Sequence, residues 1–179
     1  MENYFKLTKE TMVNLFGVTL YRMELTVDCK WGKKGDKGGW LESLKTPDGN
    51  ARVYGDAWVY GNAQVYGNAR VSGNARVSGD AQVYGNARVS GDAQVSGNAW
   101  VYGNARVYGN AWETSPLQIQ GTRHFVNICA KGKLQIGCHS LTIKVWLKDF
   151  KTIGKKEGYT PEQIKEYGLY IKLANTLSK

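Results

Sequence analysis

From Asn50 to Gly109 the chain sets an apolar side chain at the second and fourth position of every six residues, ten times without a slip, in the unit [Asn/Asp]-Ala-x-Val-[Tyr/Ser]-Gly. Residues two apart in an extended segment share a face, so each Ala and Val point inward while the x and Tyr/Ser positions point out. The Gly-Asn or Gly-Asp step turns the corner. Two inward side chains and a corner make one side of a prism, and three such sides close a coil of 18 residues. The pattern predicts a mainly β chain built on a parallel β-helix of about three coils, just over three between residues 50 and 112.

The flanks follow other periods. Tyr21, Met23, Leu25, Val27 and Cys29 alternate with Arg22, Glu24, Thr26 and Asp28, the pattern of a half-buried strand. A loop rich in glycine and lysine follows from Gly32 to Gly39 without a recognised phosphate-binding motif. Residues 1–49 thus read as an N-terminal β cap over the first coil. Beyond Trp112 the period stops, and residues 113–179 read as a C-terminal hairpin plus helix. Residues 124–130 and 134–138 flank Lys131-Gly132-Lys133 as the hairpin. Ser140 is expected to cap a helix to about Phe150, although Leu141, Ile143, Val145 and Leu147 also alternate as a strand would. Thr160, Pro161 and Gln163 form a capping box, after which Ile164, Tyr167, Ile171, Ala174 and Leu177 recur at helical spacing.

Val53 with Ala57, and Val59 with Ala63, place an aliphatic residue inside and a small residue four positions later. In this the chain resembles the left-handed β-helix of the trimeric hexapeptide-repeat superfamily. The resemblance implies a left-handed coil, a homotrimer and ligands bound in grooves between subunits. Acyltransferases of that superfamily use an interface histidine and usually a loop that breaks the repeat; residues 50–112 contain neither. The near-identical copies, Gly38-Gly39-Trp40 and the segment Ile136-Gly137-Cys138-His139-Ser140 also look like bacteriophage and prophage hexapeptide-repeat proteins. That likeness implies a viral origin and no specific reaction.

Residues 18 apart should stack about 4.8 Å apart, so the outward positions sort into columns. One side carries Arg52, Arg70, Arg88 and Arg106; the second carries Trp58, Arg76, Gln94 and Trp112; the third carries Gln64, Gln82 and Trp100 beside Tyr66, Tyr84 and Tyr102. Like charges at such spacing repel by about 1 kcal/mol even in water. An arginine column is therefore either a solvated relic of repeat duplication or an anion-binding strip. The tyrosine column is expected in the trimer interface.

Charge and chemistry narrow the function. The 24 basic residues against 15 acidic give a net charge of +9, which favours an anionic partner. With no lysine block longer than two, a small phosphorylated ligand fits at least as well as duplex nucleic acid, which is not expected as a partner. Cys29, Cys129 and Cys138 make no C-x-x-C pair, so neither a disulfide framework nor a metal site is expected, and no cofactor. No leader segment or membrane-length apolar run is read, which points to the cytoplasm, that of the host if the protein is viral, and to no membrane partner. Cys138 adjoins His139, one of two histidines, yet neighbours in a strand face opposite ways. The expectation is a non-catalytic protein that sequesters a small anionic, nucleotide-like ligand through Arg52, Arg70, Arg88, Arg106, Trp58, Trp100, Arg22, Trp40 and His139. A hexapeptide-repeat acyltransferase and a structural or protein-interaction module are the alternatives.

Overall fold

A computed structural model describes the chain except Met1–Asn3, Lys30, Trp31, Gly49, Asn110, Glu113, Thr114 and Lys179. Three strands open it: β1 Phe5–Val13, β2 Thr19–Leu25 and β3 Lys37–Leu41. The short strands of the repeats follow: β4 Arg52–Val53, β5 Trp58–Val59, β6 Gln64–Val65, β7 Arg70–Val71, β8 Arg76–Val77, β9 Gln82–Val83, β10 Arg88–Ser90, β11 Gln94–Val95, β12 Trp100–Val101, β13 Arg106–Tyr108 and β14 Ala111–Trp112. They stack into three parallel sheets: β4-β7-β10-β13 on the arginine side, β6-β9-β12 on the tyrosine side and β3-β5-β8-β11-β14 on the tryptophan side. The chain is thus a mainly β protein around a parallel β-solenoid of about four turns.

Each coil donates to the next. Arg70 N–H reaches Ala87 O at 2.9 Å and Ser72 N–H reaches Val89 O at 3.0 Å, a pattern repeated along the stack. The corner glycines hold φ between 60° and 74°, a region that L side chains rarely adopt. At Gly79 an added Cβ would also stand 3.0 Å from the backbone nitrogen of Gly97. At the corners Asn62 donates to Asp80 (3.1 Å) and Asn74 to Asp92 (3.0 Å). Asparagine alternates with aspartate in these columns, so no carboxylate stacks on another. The interior is a narrow file of Val and Ala, none more than 7 % exposed from Ala51 to Val107.

The solenoid begins earlier than the repeat does. Trp40 pairs with Trp58 and Leu41 with Val59, and Leu41 is fully buried where the repeats place Val. Gly39 stands where they place Ala, because a Cβ there would meet Val53 Cγ1 at 2.6 Å and Ala57 O at 2.7 Å. Residues 1–49 are therefore not all cap. β1 and β2 add antiparallel to the tryptophan-side sheet, while Met23, Phe5 and Leu7 close the first coil's interior. The strand read at 21–29 is the hydrogen-bonded strand Thr19–Leu25.

The C-terminal lobe holds more than a hairpin plus helix. Strands β15 Gln118–Gln120, β16 Phe125–Ala130, β17 Lys133–Ile136 and β18 His139–Thr142 form an antiparallel sheet in sequence order. Helices α1 Ile143–Lys156 and α2 Pro161–Leu177 share a core with it. The expected start at Ser140 gives way to a strand because Gly137 turns the chain back and His139–Thr142 pair with Lys133–Ile136. Thr142 then caps α1, its hydroxyl accepting from Val145 N–H. The Thr160 capping box forms as read. Phe125 reaches back into the solenoid core.

Candidate functional site

The arginine column forms in full register: Arg52 beside Arg70, Arg70 beside Arg88, Arg88 beside Arg106. Its environment changes along its length. Arg88 and Arg106 are exposed, whereas Arg70 and Arg52 are half-buried. Partial burial, then Arg70 alongside, hold the Arg52 pKa below the usual arginine value. Both effects disfavour positive charge, and a bound anion would offset both.

Arg52 lines a groove of about 560 Å³ between the first coil and the N-terminal strands. Phe5, Met23 and Leu25 give it an apolar wall, Tyr4 and Tyr54 contribute phenol rings, and Lys37 and Asp36 bring charge. Lys37 pairs with Glu10, and the Asp36 carboxylate accepts the Lys33 N–H at 2.8 Å. Tyr54 is 44 % exposed. A volume of this order lies within the roughly 300–1,000 Å³ of small-molecule sites. Tyr4, Lys37 and Tyr54 line the groove without a sequence motif that marks them as a site. Tyr54 neighbours Arg52 in the repeat, but the approach of Tyr4 depends on where β1 packs.

Other residues expected at the site are engaged elsewhere. On the tryptophan side the Arg22 guanidinium lies 4.9 Å from the Trp40 ring centre and Arg76 lies 4.2 Å from that of Trp58. Arg22 also reaches Asp56 at 3.2 Å. Trp40 and Trp58 are register neighbours, so the four side chains form a cation–π ladder of their own. Arg22 alternates with inward Met23 on β2 and so points away from the side on which Met23 borders the groove. Trp100, 48 % exposed, stands at the far end of the tyrosine side. There Tyr66, Tyr84 and Tyr102 stack at centroid distances of 5.0 and 5.6 Å, and Phe125 meets Tyr102 edge-on. Burial, then Tyr66 and Tyr102, raise the Tyr84 pKa.

His139 belongs to the C-terminal lobe, its Nε2 3.2 Å from Glu157 Oε1. With His124, Cys138 and Tyr159 it borders a cavity of about 40 Å³. Such a space holds a water or two and no nucleotide. Burial, then Tyr167, push the Tyr159 pKa up to about 12. Where the lobe meets the last coil, Tyr108 Oη lies 2.5 Å from Ser140 Oγ, and Cys129 Sγ lies 3.4 Å from that phenol. The predicted residues therefore fall into separate places: the arginine ladder, the tryptophan ladder, the far end of the tyrosine side and the lobe.

Fold and surface together define a β-solenoid repeat protein. The family model described as YdcK beta solenoid repeat matches residues 49–62, 63–79, 81–97 and 99–114. That repeat defines a scaffold, not an enzyme activity. No curated protein matches the chain.

Proposed function

We propose that this is a non-catalytic binding protein that holds a small anionic, nucleotide-like ligand at the head of the arginine ladder. One observation carries the reading: Arg52, half-buried beside Arg70, lines a groove of ligand size that also contains Tyr4, Tyr54 and Phe5. A phosphate takes bidentate hydrogen bonds from a guanidinium, and a base or other aromatic group stacks on the rings. Arg70 extends the cationic strip beyond the groove. The role that fits such binding is sequestration, for a phage-encoded protein the removal of a nucleotide signal from the host cytoplasm. A threefold assembly through the tyrosine side belongs to the same reading, with the arginine side near the groove between subunits.

Calorimetry against cyclic dinucleotides and ADP-ribose derivatives tests this. A charge-assisted contact is worth about 1.5 to 3 kcal/mol, so Arg52→Glu with Arg70→Glu should weaken binding by more than about tenfold. Unchanged affinity in the double variant would remove the ladder from the site. Ligand recovered intact after denaturation supports sequestration, whereas a modified ligand overturns the non-catalytic reading.

A further inference from the structure

Both C-terminal helices turn a second face away from the core they share. On α1, Lys144, Lys148, Lys151 and Lys155 step by four, three and four residues, which returns to one face each time. That face lies opposite buried Ile143 and Trp146, and all four lysines are exposed. At 1.5 Å per residue the row is about 16 Å long. Among the described residues none of the four makes an ion pair. The whole helix carries five lysines against one aspartate, so much of the chain's net charge sits in this element.

On α2, Leu169, Leu173 and Leu177 step by four. They lie opposite buried Tyr167, Ile171 and Ala174 and remain 59, 44 and 58 % exposed. Two helices in mutual contact thus show solvent a row of cations and a row of leucines.

We infer that this outer face of the helical pair is a docking surface for an anionic lipid bilayer. A bilayer answers both rows: headgroup phosphates neutralise the lysines, and the leucines enter the boundary between headgroups and acyl chains. A second copy packed on the same face would set lysine row against lysine row. Duplex nucleic acid would satisfy the lysines through its phosphates but leave the leucines in water. The contact is peripheral and needs no membrane-spanning helix, of which the described residues contain none. It is also separate from the Arg52 groove, which lies at the opposite end of the solenoid.

Flotation of the full chain with two vesicle preparations tests the inference: phosphatidylcholine alone, and phosphatidylcholine mixed with phosphatidylglycerol. The protein should float with the mixed vesicles and stay behind with the neutral ones. Lys148→Glu with Lys151→Glu should lower partitioning by about tenfold or more. Leu169→Gln with Leu173→Gln and Leu177→Gln should lower it several-fold while leaving retention on immobilised duplex DNA unchanged. Thermal melting confirms that each variant folds, and Lys148→Gln with Lys151→Gln replaces the reversal if that melts early. Failure of the parent to float with anionic vesicles overturns the inference. So does a leucine variant that floats as well as the parent, which would leave a plain polyanion site such as nucleic acid would use. Nucleotide binding at the Arg52 groove should be the same in all variants, so the two readings fail independently.

Discussion

From Ala51 to Val107 the inward side chains are all Val or Ala, while the lobe beyond Pro116 fills its core with Val, Ile, Leu, Trp, Tyr and Ala of many sizes. Backbone polar groups differ as much. Inside the solenoid the outward residues of each short strand donate to carbonyls 17 residues on, in the next coil, and the corners close with local bonds, so the inward side chains only fill space. The final coil has no such counterpart, and the lobe supplies one from side chains. Gln118 accepts from Tyr102 N–H at 2.9 Å and donates to Trp100 O at 2.8 Å. Asn127, fully buried, donates to Arg106 O at 2.8 Å and accepts from its N–H at 3.4 Å. An amide side chain offers the same donor and acceptor as the peptide of a missing next coil. Repetition thus solves the interior of a solenoid, and its ends need residues that do not repeat.

The largest effect should come from breaking the interior. Val83→Asp puts an unpaired charge at a fully buried site, a cost of several kcal/mol, and should abolish the folded state by circular dichroism; Gln82→Asp next door, on the outward face, should still fold. At the ends the effect should be smaller and specific. Asn127→Leu keeps the volume but orphans the Arg106 N–H and C=O, so chemical denaturation should show a loss of about 2 to 6 kcal/mol at about 1 to 3 per buried group. A loss no greater than that of Thr152→Leu, on the exposed face of α1, would mean that the last coil does not rely on the lobe for its hydrogen bonds.

Tyr84→Lys sharpens the comparison at the surface. If the tyrosine side joins three copies, light scattering should show the assembly falling to monomers with β-structure retained; an unchanged mass would place the interface on another side. The smallest effect is in the lobe. The Tyr159 pKa is raised from 10.0 to about 12, so folding favours its neutral form. That stability is complete below pH 10 and is lost as pH rises through about 12. Tyr159→Phe should therefore flatten the decline in melting temperature between about pH 10 and 12 relative to the parent.

Much of the fold was legible because its period is local. The arginine and tyrosine columns, the inward Val and Ala and the Thr160 capping box all stand where the residues imply, but the tryptophan-side column ends at Gln94: Trp112 pairs with Val95 and packs against the cores of solenoid and lobe. The first coil is harder to see, although Gly39-Trp40-Leu41 lies 18 residues before Ala57-Trp58-Val59 and matches it with Gly for Ala and Leu for Val. The steric demand at Gly39 hid the register. The sequence favours a helix capped by Ser140 over a strand, whereas residues 140–142 belong to β18, because the alternation of Leu141, Ile143, Val145 and Leu147 runs across a boundary between strand and helix. For the candidate site, the arginine register is visible in the sequence, but Arg22, Trp40 and Trp58 lie apart from it, Arg22 over Trp40 and Arg76 over Trp58.

By itself the sequence determined the three-sided coil and the composition of each face, since a period of six with two inward positions admits one way of burying Val and Ala along an extended chain. The tertiary structure decided which outward residues became useful. Arg52 and Arg106 occupy the same position in the first and last copies of the repeat, yet one lies half-buried in a groove and the other is exposed. The difference comes from the non-repeating segments that close the two ends, where β1 brings Tyr4 and Phe5 to the first coil and β16 brings Asn127 to the last. Their placement depends on contacts between residues far apart in the chain, and no local period encodes those.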